Sequence, residues 1–462
     1  MASVTQRIER MLGEVRAWRS GTNESGISLA PDLPDADERK LRAEIDLCIA
    51  GRGGEVAARR RAGRIGEAFL VLDEVGRKRF FAVLADDYGV DRHSVDSAIS
   101  AVDHAGDHLL ARRAAEAELR EALTAPRARL LRRFIGLEDG LPFLVDLREE
   151  LMALTRRDER YEGLDEDLRG LLESWFDVGL LRLEQITWDS SASLLEKLIE
   201  YEAVHAVESW DDLRNRLGPD RRLYAFTHAA VPGEPLIFVE VALTRGMSDN
   251  ITDLLDPSID DPDPDEADTA IFYSISNCRV GLAGVNLGDF LIKRVVERLS
   301  AELPHLETFA TLSPIPGFRG WLERALSADD PLLTDEERAA IAPDDSVTAS
   351  RRLLALLQAH DWHIDPVAVD TMRPILTRLC AEYLVRERRN GRAADRVANF
   401  HLSNGARIER LNYLANPAPA GQERAVGMMV NYRYLPSDIE RNHDRYINEG
   451  VIAHSDRVRH LL

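Results

Sequence analysis

Through the first two fifths of the chain the apolar residues fall three or four apart, the period of a helix with one buried face. From Asp37 to about Leu183 nearly every segment reads this way. Ile65, Phe69, Leu72 and Val75 form one stripe, weakened by Gly63, Gly66 and Gly76. Phe80, Phe81, Val83 and Leu84 begin another. Leu130, Leu131 and Phe134 pair with Leu141, Phe143 and Leu144 across breaks at Gly136 and Gly140. Helix after helix with short breaks, and no repeat of fixed period, predicts a bundle. Ahead of it, the polar stretch Ser20–Ser28 and the prolines at 31 and 34 make residues 1–37 partly loose.

The period changes near residue 185. Strand-like runs begin at Leu183–Trp188 and become clear at Leu223–Thr227 and Leu236–Leu243, with a hairpin turn at Val231-Pro232-Gly233-Glu234. The pattern therefore predicts an α+β chain: a helical bundle over 1–185, which reads either as an oligomerisation surface or as a cap that shields the rest, and a mixed α/β domain over 186–462. The acidic, proline-containing stretch Asp256–Asp268 reads as a solvated, mobile loop. Ala270–Ser276 is a β-branched and aromatic run, read as a buried strand. A glycine-rich turn, Gly281-Leu282-Ala283-Gly284-Val285-Asn286-Leu287-Gly288, follows it. Leu287, Leu291, Val295, Leu299 and Leu303 then recur four apart, so a helix comes next. Strand, glycine turn and helix N-terminus in that order make an anion site, because backbone N–H groups and the helix dipole point the same way. Gly281, Leu282, Gly284, Val285 and Gly288 are the candidate ligand-binding residues. A further strand, Leu306–Leu312, ends in Ser313-Pro314-Ile315-Pro316-Gly317-Phe318, where each proline keeps the residue before it extended. Leu353–Leu357 and Ile375–Leu384 suggest helices, with a basic connector near Arg386–Arg392.

Ala398–Leu402 reads as a short strand carrying His401. The spacing of Ile408, Leu411 and Ala415 favours a helix capped by Asn404 over a hairpin at Asn404-Gly405. Tyr432 and Tyr434 alternate, so they face one side of a strand. Taken alone, a histidine at a strand end is ordinarily a structural hydrogen-bonder, a serine such as Ser313 can cap its own turn, and such tyrosines are core.

Composition narrows the classes. The chain has 462 residues, too many for one core. The net charge of -21 argues against a nucleic-acid backbone as partner, while local basic residues still allow a small polyanion. No apolar run approaches the roughly 18 residues of a membrane span. Cys48, Cys278 and Cys380 are too scattered for a disulfide framework or a metal site, which suits a reducing cytoplasm. Arg7, Arg10, Arg16 and Arg19 give the first turns a transit-peptide look, against which Glu9 and Glu14 count. The terminal Arg459-His460-Leu461-Leu462 is not the peroxisomal tripeptide, so a cytoplasmic location is expected.

Several stretches resemble the malonyl-CoA decarboxylases, in family order from about Trp175 onward. They are Phe272–Ser276, Gly281-Leu282, Phe290–Val296, Thr311–Phe318, Asn399–Ala406 and Met429–Tyr434. The resemblance implies a GNAT-like catalytic domain, assembly into a homo-oligomer (a tetramer among the sizes it allows), and conversion of malonyl-CoA to acetyl-CoA and CO2. It puts Ser313 and His401 at the family's catalytic serine and histidine and Tyr434 at a tyrosine near them. Some relatives carry an acid where this chain has Asn286. No cofactor is implied, since the thioester carbonyl accepts the electron pair and coenzyme A is part of the substrate. An amine acyltransferase and a non-catalytic acyl-CoA sensor are the rival readings.

Overall fold

The computed structural model of the protein describes residues 27–137, 139–259, 263–285, 291–328, 332–343, 349–359 and 361–462. The chain divides into two compact units. One holds the chain up to Arg182 together with Thr227–Leu236 and Cys278–Asn286; the other holds the remainder.

The first unit is built of the helices Asp35–Ile49, Gly54–Leu70, Glu74–Asp86, Arg92–Ala105, Leu109–Ala122, Arg127–Ile135, Gly140–Thr155 and Glu162–Trp175. Its centre is aromatic: Phe69 meets Phe80, Phe81 and Phe143 with ring centroids 5.0, 5.6 and 5.9 Å apart. The stripe expected to run from Ile65 to Val75 does not continue as one helix. The helix ends at Leu70, and Asp73 starts the next by accepting from the Gly76 N–H at 2.9 Å. A capping carboxylate three residues past the helix end outweighs the apolar period there. Two helices stand apart from this core. Among the described residues Arg92–Ala105 buries Ala98 and Leu109–Ala122 buries Ala115, and no others, whereas Ile99, Leu109, Leu110 and Leu123 are exposed.

The second unit is organised on a sheet with strands β1 (Leu181–Ile186), β2 (Arg221–His228), β3 (Val231–Thr244), β4 (Thr269–Asn277), β5 (Thr308–Thr311), β6 (Ser313–Pro314), β9 (Arg407–Asn412) and β10 (Met429–Tyr434). The spatial order is β1-β2-β3-β4-β5-β10-β6, with β9 on β10. β4 and β5 are parallel, and the helix Leu291–Glu302 makes the crossover that a parallel pair requires. β10 runs antiparallel to β5, β6 and β9. This is the mixed layer of strands and helices that the two periods anticipate. Ile271, Ala310, Leu312, Met429 and Ala242 pack with Ile251 and Leu254 into one core cluster.

Three local expectations fail for identifiable reasons. The β2–β3 turn is the exposed pair Ala229-Ala230, not 231–234, because Val231 is already buried in β3. The basic connector is a tight hairpin, β7 (Arg388–Arg389) and β8 (Arg392–Ala393), turning on Asn390 and Gly391 with φ of 53° and 79°. Most important, the stretch around His401 is reversed: Arg396–Ser403 is a helix and Arg407–Asn412 is the strand β9. The misleading spacing has a simple origin. Ile408 pairs with Tyr432 and Leu411 with Val430, so β9 carries one extra residue across a bulge. The bulge puts residues three apart on one face and imitates a helical period.

Candidate active site

Thr311 and Ser313 lie two residues apart where β5 gives way to β6, so both face the same side of the sheet. On the neighbouring β10, Tyr432 and Tyr434 share that side, and Tyr434 sits opposite Phe309. The helix Arg396–Ser403 places His401 against them. Ser313 Oγ is 3.1 Å from His401 Nε2, and His401 Nδ1 is 2.8 Å from the Tyr434 hydroxyl. The His401 ring stacks on Tyr432 with centroids 4.6 Å apart. The structure thus brings together Ser313, His401 and Tyr434.

The proton positions follow from counting donors. The Ser313 hydroxyl donates to Thr311 Oγ1 at 2.8 Å, so its contact with the imidazole is donated by Nε2–H. Burial pushes the His401 imidazole down to about 3, so it is neutral in ordinary buffers. With its proton on Nε2, Nδ1 accepts from the Tyr434 hydroxyl. Burial likewise holds the Tyr434 phenol protonated, well above its ordinary range. The result is a buried chain of donors, Tyr434 to His401 to Ser313 to Thr311. Thr311 Oγ1 also accepts from Tyr432 N at 3.1 Å. Behind it, Asn431 donates to the Thr311 carbonyl at 2.7 Å and accepts from Arg410 and Asn412. This array supplies N–H and O–H groups to a developing negative charge; a histidine that already donates to serine is not poised to take the serine proton.

Two residues the sequence reading did not single out hold this geometry. Thr311 belongs to the Thr311-Leu312-Ser313 run, and a strand period of two would have flagged it. Asp395 is the other. One of its carboxylate oxygens accepts from the Val397 and Ala398 N–H groups at 2.9 and 3.1 Å, capping the His401 helix. Its second oxygen accepts from Gly317 N at 3.0 Å, fastening the loop that follows Ser313. One buried carboxylate therefore ties the His401 helix to the loop that follows Ser313. Burial raises its pKa, against the N–H donors that favour the charged form. An aspartate before a helix is a recognisable cap signal, hidden here by reading the helix as a strand.

The glycine turn lies in the other unit. Gly281 is pressed onto the helix Gly140–Thr155, where a Cβ would stand 1.9 Å from the Val145 carbonyl oxygen. Arg148, paired through two atoms with Asp165, donates to the carbonyls of Gly281 and Ala283 at 2.8 Å each. Leu282 and Val285 are buried, and the N–H groups of Leu282, Ala283 and Val285 are engaged within the turn. Gly284 has φ +77°, and a Cβ there would meet the Arg169 side chain at 3.7 Å, ordinary van der Waals contact. Gly288, Asn286 and the start of the following helix fall outside the described residues. Among the described residues no group of three or more His, Cys, Asp or Glu side chains could hold a metal ion.

Comparison with known proteins reaches most of the chain. A family model for the malonyl-CoA decarboxylase C-terminal domain matches residues 179–462, and one for the N-terminal domain of that family matches 88–176. The mitochondrial malonyl-CoA decarboxylase of Anser anser anser is 37% identical over 476 residues, covering 99% of this chain and 94% of its own length. That of Rattus norvegicus is 38% identical over 361 residues, covering 75% and 73%. Crystal structures of malonyl-CoA decarboxylases are similar throughout. The Rhodopseudomonas palustris structure has a TM-score of 0.83 at 39% identity, covering 92% of this chain and 99% of that one. The Agrobacterium vitis structure has 0.82 at 38%, covering 91% and 99%.

The Asp395 arrangement carries a prediction. Asp395→Ala should cost about 2–4 kcal/mol in urea denaturation, since it removes a helix cap and strands the Gly317 N–H. Asp395→Asn, which keeps an acceptor for the cap, should recover part of that loss. A change below ~0.5 kcal/mol in Asp395→Ala would show that the carboxylate does not tie the two segments together.

Proposed function

The chain belongs to the malonyl-CoA decarboxylase family, and on that premise we propose that it converts malonyl-CoA to acetyl-CoA and CO2 through a thioester enolate. The observation that carries the reading is the buried Ser313–His401 contact, with Tyr434 on the far nitrogen. When the bond between the α-carbon and the carboxylate breaks, its electron pair moves into the thioester and charge appears on the carbonyl oxygen. Ser313 turns its hydroxyl from Thr311 to the departing carboxylate and holds it out of the thioester plane. His401 Nε2–H donates to the enolate oxygen. A donor so placed is typically worth about 3–4 kcal/mol. Tyr434 keeps the proton on Nε2 by donating to Nδ1, and once CO2 has left the enolate takes its new proton at the α-carbon from a water molecule, the hydroxide so formed being neutralised by solvent. The glycine turn, with Gly281, Leu282, Gly284, Val285 and Gly288, is read as the place for the pantetheine and pyrophosphate. Its support is the left-handed backbone at Gly284. Engagement of neighbouring N–H groups leaves fewer free for a phosphate than a strand–turn–helix pattern suggests.

The helical part is read as the assembly surface of a homo-oligomer, with a tetramer among the sizes it allows. The support is the helix pair that leaves Ile99, Leu109, Leu110 and Leu123 in solvent while burying little more than two alanines. A cytoplasmic location is also proposed, supported by three free, buried cysteines; activity confined to an organelle on cell fractionation would overturn it. The goose and rat relatives are named as mitochondrial.

Incubation with malonyl-CoA alone should yield acetyl-CoA and CO2, and turnover only after adding an amine would favour acyl transfer instead. Ser313→Ala and His401→Asn should each lower kcat by about 10²–10³-fold with little change in acyl-CoA binding, and the double variant should lose much less than the product of the two. Variants that melt lower but turn over normally per folded molecule would reduce both residues to structural ones. For assembly, Leu110→Glu should shift the oligomer toward smaller species in light scattering without lowering kcat per chain. An unchanged mass would place the contacts elsewhere.

A further inference from the structure

Past β10 the chain forms the helix Ile439–Glu449 and returns as residues 451–455 beside β9, where Ile408 N donates to the Ala453 carbonyl and Ser455 N to the Ile408 carbonyl at 2.9 Å each. A cavity of about 300 Å³ opens between the helix and this returning segment. Arg407, Arg441, Arg445, Arg459 and His454 line it, and Asp438 is the carboxylate in its wall. Four guanidinium groups and an imidazole converge there on a chain whose net charge is -21. Such a concentration runs against the charge of the whole molecule, and nothing in the decarboxylation chemistry uses it.

The arginines are held in place by acids standing beside them. Glu409 contacts Arg407 at 2.6 Å, Asp438 contacts Arg441 at 3.0 Å, Glu449 contacts Arg445 at 3.8 Å and Asp456 contacts Arg459 at 2.9 Å. Of these acids only Asp438 lines the cavity. The side chains of Arg441, Arg445 and Arg459 are 62, 51 and 67% exposed, and ion pairs so open to water hold weakly. An anion presenting two or more charged groups at once competes with them, because guanidinium forks bind carboxylate and phosphate oxygens in pairs. The volume is at the small end of ligand pockets, which suits a compact metabolite.

We propose that this cavity is a second ligand site, separate from the Ser313–His401 centre, for a small anion bearing two or more phosphate or carboxylate groups. Its occupant would link Arg441 and Arg445 on the helix to Arg407 and Arg459 on the opposite wall. That helix is joined to the end of the His401 helix: Asn442 Nδ2 donates to the Gly405 carbonyl at 3.2 Å, and His443 Nδ1 contacts the Ser403 carbonyl. Gly405 has φ +80° and lies so near Ile439 that a Cβ would be 2.2 Å from its carbonyl oxygen. Binding at the cavity therefore stiffens the segment that follows His401.

The test uses pyrophosphate and citrate as probes, titrated calorimetrically into the full-length protein at constant ionic strength, beside Arg441→Ala/Arg445→Ala and, on the other wall, Arg459→Gln. The expected result is saturable binding at one site per chain for at least one probe, weakened tenfold or more in both variants, with the KM for malonyl-CoA unchanged. Heats that do not saturate, or equal affinity in wild type and both variants, would overturn the proposal. So would a several-fold rise in the KM for malonyl-CoA in both variants, which would make the cavity the seat of the substrate's own phosphates.

Discussion

The imidazole of His401 is out of water on every side, stacked on Tyr432, edged by Phe400 and bonded at both nitrogens. Carrying a charge there would require desolvating an imidazolium with no carboxylate against it, and the ring stays neutral instead. Neutrality then fixes the rest. One nitrogen donates and the other accepts, so the tyrosine and the serine have assigned roles before any substrate arrives. In a dry site a donor acts on developing charge with more force than it would in water, and it needs no reorganisation at the moment of reaction.

Keeping that ring in place is the work of backbone geometry. β10 pairs with β5 on one side and with both β6 and β9 along its length, so the strand bearing Tyr432 and Tyr434 has little freedom. Asn431, fully buried between them, bonds to the Thr311 and Ser248 carbonyls and to Arg410 and Asn412. The histidine arrives from outside the sheet, on a helix started by Asp395 and stopped at Gly405, where no side chain fits. Ser313, His401 and Tyr434 thus meet from a strand junction, a helix and a second strand, each fixed by hydrogen bonds that do not depend on a ligand.

Long elements were the most legible part of the sequence. The helical first part, the hydrophobic β4 run and the crossover helix all follow from period and composition, because many residues repeat the same signal. Tyr434 lies on extended backbone as the tyrosine alternation implies, whereas the irregular turn expected at Ser313 is the short strand β6. The family motifs mark His401, but the β-bulge at Glu409 gives β9 the spacing of a helix and so hides both the helix that carries His401 and its Asp395 cap. The packing of Gly281 onto Val145 and Arg148 was illegible for another reason. It joins positions 133 or more residues apart, and no local pattern encodes such a contact.

The central claim is that His401 works as a neutral donor held between Tyr434 and Ser313. Nitrogen-15 NMR of the protein labelled in histidine reports protonation and tautomer at each ring directly. The His401 ring nitrogens should keep the pattern of a neutral ring with its proton on Nε2 throughout pH 5–8, and Tyr434→Phe should disturb the Nδ1 signal. Titration of His401 with a midpoint near 6.5, or a proton residing on Nδ1 in the wild type, would contradict it.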